Sequence, residues 1–357
     1  MDKISVFKNK RVLVTGSTGF KGSWLSIWLK KLGADVYGYA LKPDSNNCNF
    51  NICNLENVIK QGYGDIRHIS PLRIAIRNIM PEFIFHLAAQ PIVLEALKNP
   101  SHTFETNIMG TVNVLDEARK VECLKSIVVV TSDKCYKNTG VTLHEDDGLG
   151  GDDPYSASKA CEDMVASSFY KSFFKDLGVG LSTARAGNVI GGGDRGKYRI
   201  IPDCIKAIEN GEDINIRNPK HVRPWQYVLE PLYGYLKLAA CMYENPDTYS
   251  CGWNFGPNEE AHISVDDLVE MMLVNAHTLY NKTGIVMNVG TGDKNSKEKG
   301  MLALDSSRAK DILSVNNILT LQDVCRFTVE DYFCEGNILQ QRFDRIEGYE
   351  EKIRNGM

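Results

Sequence analysis

The chain of 357 residues is 43% hydrophobic and 24% charged, the composition of a folded globular protein with room for one large or two modest domains. That excludes a disordered chain, a collagen-like fibre and a small disulfide-stapled scaffold. A formal charge of −4, from 41 Lys and Arg against 45 Asp and Glu, gives no basic surplus to draw nucleic acid.

No apolar run approaches the ~18 residues of a membrane helix, and the start Met1-Asp-Lys-Ile-Ser-Val-Phe has no signal-peptide core, so a cytoplasmic protein with no membrane partner is expected. Ten cysteines are scattered without a CxxC pair, which predicts reduced, mostly buried thiols and no metal site.

In chain order, Arg11-Val-Leu-Val-Thr-Gly16 reads as a buried parallel strand ending on glycine. Trp24, Leu25, Ile27, Trp28, Leu29 and Leu32 recur at helical spacing after Gly22, and Gly33 stops that helix. Ala34 to Leu41 predicts a second strand, Pro71 to Ile79 an amphipathic helix, and Phe83 to Ala89 another strand. A helix is predicted from about Phe104 to Lys120, a strand over Ser126 to Thr131, a helix from about Pro154 to Phe174 and a strand from Val179 to Arg185.

This alternation predicts an α/β fold, a Rossmann-type doubly wound parallel sheet covered on both faces. After about Asn188 the rhythm breaks, which predicts a smaller C-terminal substrate-binding lobe, with Gly252-Trp-Asn-Phe-Gly256 returning a strand to the main sheet. The expected division is 1–187 with about 221–257 for the dinucleotide-binding domain, and 188–220 with 258–357 for the lobe. The charged tail, Arg342 to Met357, reads as a helix or a frayed end.

Three motifs carry chemistry. Gly16, Gly19 and Gly22 in Thr15-Gly-Ser-Thr-Gly-Phe-Lys-Gly22 sit at the first strand–helix junction, where glycines let backbone amides approach a pyrophosphate. No acidic ribose reader ends the second strand, where Lys42 stands instead, so these residues leave NAD and NADP open. Tyr155 and Lys159 are four apart on one helix face, and an ammonium beside a phenol favours the phenolate, the form a general base needs. Thr131-Ser-Asp-Lys134 ends a central strand, where open α/β sheets bind ligands; Ser132 suits a substrate hydroxyl, Asp133 a general acid, and Lys134 a base when neutral. His86, mid-strand among apolar residues, reads as a satisfied core histidine, and His144 to Asp147 with Asp152 and Asp153 as a solvated loop.

These motifs, in this order, resemble the extended short-chain dehydrogenase/reductase superfamily and, within it, the CDP-glucose 4,6-dehydratase family. The strings that carry the resemblance are TGSTGFKGSWL (15–25), AAQP (88–91), TNIMGTVNVL (106–115), TSDKCY (131–136), DPYSASK (153–159) and ARAGNVIGGGD (184–194). IRNP (216–219), RPWQYVLEPLYGYL (223–236) and WNFGP (253–257) extend it. The chain departs from the family pattern at Leu94, at Arg195 after GGGD, and at Ser17 in the glycine loop, positions near the expected substrate and cofactor.

The resemblance implies conversion of CDP-glucose to a 4-keto-6-deoxy sugar with NAD, NADP being the alternative, and no net consumption of the cofactor. Tyr155 would take the 4-hydroxyl proton, Lys159 would lower the tyrosine pKa and hold the nicotinamide ribose, and Asp133 would protonate the departing 6-hydroxyl. Lys134 would be either the C5 base or an electrostatic stabiliser of the enolate. The implied cofactor site takes in Gly16, Thr18, Gly19, Phe20, Lys21 and Gly22 from the glycine loop. It adds Asp65 and Ile66, then Leu87, Ala88, Ala89 and Gln90, and Asn107. Gln90, Ser132, Asn188, Arg199 and Arg223 are the implied substrate contacts, arginine being suited to a diphosphate by its bidentate fork. A homodimer through the helices near 104–120 and 154–174 is also implied. The competing readings are a dehydratase of another nucleotide sugar, a nucleotide-sugar 4-epimerase, which needs no Asp133–Lys134 pair, and a non-catalytic dinucleotide sensor, which needs no Tyr155 or Lys159.

Overall fold

The computed structural model describes residues 3–356 apart from 138–139, 217, 291–302 and the side chain of Val289. Its strands are β1 (Arg11–Thr15), β2 (Asp35–Ala40), β3 (Lys60–Tyr63), β4 (Phe83–His86), β5 (Ser126–Val130), β6 (Gly180–Ala186), β7 (Asn188–Ile190), β8 (Ile214–Ile216), β9 (Val222–Tyr227), β10 (Gly252–Phe255), β11 (His262–Ser264) and β12 (Met287–Val289). Seven of them form one all-parallel sheet in the order β10-β6-β5-β4-β1-β2-β3. The chain runs outward from β1 to β3 and then crosses back to β4 on the other side of β1. That reversal opens a crevice at the carboxyl ends of β1 and β4, the place where doubly wound sheets bind ligands.

Alternate residues of each strand supply two separate cores, as the period of two demands. Val12, Val14, Phe83, Phe85, Val128 and Val130 face one side and pack with α1 (Phe20–Lys31) and with a helix at Leu229–Glu244. Leu13, Ile84, Ile127, Val129 and Leu181 face the other, against α2 (Ile69–Ile79), α3 (Gly110–Ala118) and α4 (Pro154–Phe169). Asp153 caps α4, accepting from the amides of Tyr155 and Ser156, with Pro154 in the first turn. The acidic loop that looked merely solvated therefore fixes where the Tyr155 helix begins.

The expected helices over 104–120 and 154–174 are present, each interrupted by a π-helical turn, at Glu105–Met109 and Tyr170–Phe174. The strand at Phe83 stops at His86 because the amides of Leu87 and Ala88 turn aside to the Thr15 hydroxyl. Beyond Asn188 come α5 (Ile200–Asn210), α6 (Leu229–Glu244), α7 (Val265–Tyr280), α8 (Leu321–Phe333) and α9 (Ile338–Gly356). They accompany a three-stranded sheet, β11-β9-β7, and the pair β12-β8. β10 does return to the main sheet, beside β6. The charged tail is not a frayed end: α9 buries Arg342, Ile346, Tyr349 and Ile353 and docks on α1, where Trp28 Nε1 donates to Glu350 at 2.7 Å. No helix among the described residues is long and apolar enough to cross a membrane.

Candidate active site

At the end of β1 the backbone turns at Gly16 with φ +71°, and a Cβ there would lie 2.7 Å from the Ala88 amide nitrogen. A Cβ on Gly22 would lie 2.1 Å from the Gly16 carbonyl oxygen, so the strand, the turn and α1 close on one another only with glycine at both positions. Gly19 leads into α1 with no side-chain cap, leaving first-turn amides of a twelve-residue helix for an anion at the crevice. Thr18 donates to the Leu41 carbonyl and Phe20 lies against Gly191, which ties the loop to both sides of the crevice. Ser17 is buried and donates to Gln61 on β3 at 2.8 Å, so it braces the sheet edge. This cradle fits a dinucleotide pyrophosphate.

Asp65 follows β3 and is engaged by Arg67 through two guanidinium nitrogens and the backbone amide. Burial pushes this carboxyl upward, but Arg67 outweighs it and holds the pKa below the ordinary carboxylate range. Ile66 is buried against Gly110 at the start of α3. Ala89 is half-buried in the loop after β4. Gln90 spends its side chain on that loop, donating to Ile92 O and Thr103 and accepting from Ile92 N. Buried Asn107 clamps the Gln90 backbone through N and O and donates to Ser158 on α4 at 2.8 Å. Both polar side chains therefore build the crevice wall, and the amide of Gln90 faces inward to Asn107.

After β5 the chain makes a short 3₁₀ turn, Asp133–Cys135. Ser132 donates to Asp133 Oδ1 at 2.8 Å and accepts from the Lys134 amide, and both side chains are buried. Gly187, between β6 and β7, lies against both Asp133 and Pro224: a Cβ there would stand 3.4 Å from Asp133 Oδ2, an ordinary contact, and a tighter 3.2 Å from Pro224. Lys134 is half-buried and makes no ion pair or side-chain hydrogen bond among the described residues. The α4 helix packs on this turn and brings Tyr155 and Lys159 beside it. Lys159 donates to Glu162 Oε2 at 2.9 Å and, longer, to Val130 O at 3.4 Å. Burial works against the Lys159 ammonium, but Glu162 and Tyr155 outweigh it and keep its pKa above the usual lysine value.

Lys21 also reaches this centre, with its ammonium 5.8 Å from the Tyr235 ring centroid. Burial pushes its pKa down to about 7, and repulsion from Lys159 and Arg199 adds to the effect while Asp133 opposes it. From the segment beyond β7, Arg199 precedes α5 and donates to Asp194 at 2.9 Å. Arg223 lies on β9, donating to Val222 O, with its other nitrogen 3.3 Å from His221. Asn188 opens β7 opposite Trp225. Arg195, a departure from the family pattern, is bidentate to Glu209 and lies over Tyr332, so it ties α5 to α8. Leu94 is part-exposed on a short helix, Val93–Lys98, after the Gln90 loop.

His86 is a core histidine as expected, bonded to Thr15 and Thr111, and burial lowers its pKa to about 3. Two features escaped the sequence reading. One is a buried network in which Asp163 accepts from Thr131, Thr183 and Arg185, while Arg185 also donates to Tyr136 and Glu145 O. The other is Glu162 itself. Its signal was available, since a residue three after Lys159 shares the face of the YxxxK pair.

A family model described as GDP-mannose 4,6 dehydratase matches residues 13–328. The chain is 44% identical over 310 residues to the CDP-glucose 4,6-dehydratase of Salmonella typhimurium, covering 85% of each chain. It is 29% identical over 238 residues to a dTDP-D-glucose 4,6-dehydratase of Dictyostelium discoideum, covering 61% of this chain and 53% of that one. Among solved structures, an epimerase of Methanothermobacter thermautotrophicus superposes with a TM-score of 0.78 at 21% identity, covering 98% and 97% of the two chains. A Bacillus cereus UDP-glucuronic acid 4-epimerase, in complex with UDP-glucuronic acid and NAD, superposes at 0.75 with 20% identity over 92% and 99%. At such identities these structures speak for the fold.

Proposed function

The chain belongs to the GDP-mannose 4,6-dehydratase family of nucleotide-sugar dehydratases, and from that footing we propose that it converts CDP-glucose to CDP-4-keto-6-deoxyglucose at the centre formed by Ser132, Asp133, Lys134, Tyr155 and Lys159. The observation that carries the reading is the Asp133–Lys134 turn at the end of β5, beside Tyr155. A 4-epimerase has no use for that acid–base pair. The 44% identity to a CDP-glucose enzyme over most of both chains supports the choice of nucleotide.

The cradle of Gly16, Gly19 and Gly22, with Ala88 pressed against it, would hold the cofactor pyrophosphate, and we assign NAD because solved relatives of this fold carry it. Bound NAD supplies a hydride acceptor at C4 of the sugar and a hydride donor at C6, with no net consumption. Tyr155, whose hydroxyl has no hydrogen-bond partner among the described residues, takes the 4-hydroxyl proton. Lys159 stabilises the phenolate by its charge. Ser132 orients the sugar hydroxyl, and its bond to Asp133 fixes that carboxyl where the departing 6-hydroxyl must collect a proton. Lys134, as a neutral amine, takes the C5 proton that the 4-ketone acidifies and gives it back to C5 when hydride is returned to C6. The products are one water and the 4-keto-6-deoxy sugar.

The lobe from residues 188–220 and the chain beyond 258 receives the sugar nucleotide, with Arg199 and Arg223 toward its diphosphate. The exposed apolar residues Phe104, Met109 and Met164, on the adjoining helical stretches over 100–118 and 154–169, make the surface that a second copy covers in a homodimer. Ten free cysteines suit a reducing cytoplasm.

Mass spectrometry of CDP-glucose incubated with the protein and NAD, beside dTDP-, UDP- and GDP-sugars and an NADP control, tests the reading. Loss of one water from the CDP sugar with NAD is the expected result. Inversion at C4 without water loss would overturn the roles of Asp133 and Lys134.

A further inference from the structure

Tyr155, Lys159 and Glu162 stand at i, i+4 and i+7 on α4, one face of one helix. Glu162 is 2% exposed and Lys159 3%, and their side chains meet at 2.9 Å. The next carboxylate along, Asp163, is fully engaged by Thr131, Thr183 and Arg185. Glu162 differs: Oε2 has Lys159 as its donor, and buried Oε1 has no hydrogen-bond partner among the described residues. A buried carboxylate held by a single donor is costly to keep ionised, and its removal from water is not repaid by structure elsewhere.

The other charged and titratable groups facing this pair do not replace Glu162. His86 on β4 is held neutral, Arg199 at the start of α5 adds positive charge, Lys21 at the start of α1 gains its charge only as the pH falls through about 7, and Asp133 after β5 is bonded to Ser132. Asp163 on α4 is taken by Arg185 of β6.

We propose that Glu162 is a positioning residue that compensates Lys159 and thereby sets how strongly that cation favours the Tyr155 phenolate. The inference rests on the catalytic roles given above to Tyr155 and Lys159. With Glu162 ionised, Tyr155 faces a nearly neutral ion pair. With Glu162 protonated, it faces an unmasked ammonium and ionises more readily. Burial raises the Glu162 pKa to about 7, which puts this exchange near neutrality. Below that point the enzyme gains phenolate-stabilising charge as the medium grows more acidic, which extends its activity toward low pH.

The test is Glu162→Gln, which keeps the shape and an acceptor for Lys159 but removes the charge. Tyr155 ionisation is read from phenolate absorbance of the whole protein against Tyr155→Phe as baseline, and from the acid limb of kcat/KM. Both midpoints should fall by about one pH unit, the size expected of one unit charge at short range under partial screening. Glu162→Ala carries the same expectation and stands in if the amide variant does not fold. A glutamate that only props Lys159 would lose kcat in the alanine variant, regain it in the glutamine variant and leave both midpoints in place; that result overturns the proposal. The absorbance titration needs no turnover. If Tyr155→Phe still releases water, the functional reading fails while the coupling is tested on its own. If Tyr155→Phe is inactive and the Glu162→Gln midpoint is unmoved, the coupling alone fails.

Discussion

On the faces of the main sheet most side chains are placed by apolar packing, the Asp163–Arg185 pair at β6 being a buried exception; where the C-terminal helices meet α1 and β9, side chains are placed by buried charge. On the sheet faces, Trp24, Leu25 and Trp28 of α1 with Leu232 and Leu236 of α6 cover one side, and Leu72, Ile76, Val114 and Leu115 the other. At the seam, Asp331 of α8 accepts from Arg342 at 2.9 Å and from Tyr227, with Arg345 close by. Arg342 is 0% exposed, lies 4.8 Å over Trp24 and donates to Asn49. Non-directional packing tolerates changes that conserve volume, whereas a buried ion pair fails when one partner goes and leaves the other charged in a dry place. The apolar faces of the sheet therefore tolerate volume-conserving changes, while neither the seam nor the Asp163–Arg185 pair can lose a single charge cheaply.

The sharpest break in this comparison is Tyr155→Phe. Loss of one hydroxyl that bonds to nothing in the described structure should lower turnover by about a thousandfold or more while leaving the thermal midpoint within a degree or two, about the size of a neutral substitution. Activity assay beside a thermal melt checks both halves. Arg342→Met comes next: it should cost ~3–5 kcal/mol in a urea titration by stranding Asp331. Adding Asp331→Asn should recover part of that loss, and full additivity of the two changes would show that the pair is not coupled.

A third contrast is in pH. Glu230, at the start of α6, accepts from the amides of Ile318 and Leu319, yet burial raises its pKa from 4.5 to about 8. The fold thus prefers the neutral acid. That contribution is complete below pH 4.5 and is lost as the pH rises through about 8. Glu230→Gln should flatten the decline in stability between those limits, measured by denaturant midpoints at pH 5, 6.5 and 8. Smallest of all, Ile84→Val on β4 should cost about 1 kcal/mol, the loss of one methylene from an apolar core.

The same division separates what the sequence announces from what only the fold brings together. Apolar runs such as Ile127 to Val130 and the glycines at 16, 19 and 22 announce strand, turn and helix because burial and backbone shape act locally. Lys60–Tyr63 goes unmarked in the sequence because an edge strand with polar, mostly exposed residues carries no alternation. The helix Leu229–Glu244 goes unmarked for the opposite reason, being buried nearly all round, so that no polar face marks its period. The roles of Arg342, Asp331 and Asn49 depend on partners far apart in sequence, and no local pattern announces such a meeting. In the candidate site, the motif residues line one crevice, at the ends of β1, β4 and β5 and on α4. The side chains of Gln90 and Asn107 brace its wall, and bonds between positions 17 apart leave no mark in local spacing.

The docking of α9 on α1 has a bearing on how the molecule comes into being. Trp28 and Glu350 are 322 positions apart, and Lys31 meets the same carboxylate at 3.2 Å. During synthesis the helix that follows the glycine turn must wait, one side uncovered, until a helix more than three hundred residues later has left the ribosome. In the interval Trp28 lacks its neighbour Tyr349, and a large indole is open to unwanted partners. Until then the Trp28 face of α1 offers an exposed aromatic surface to any chaperone that recognises one.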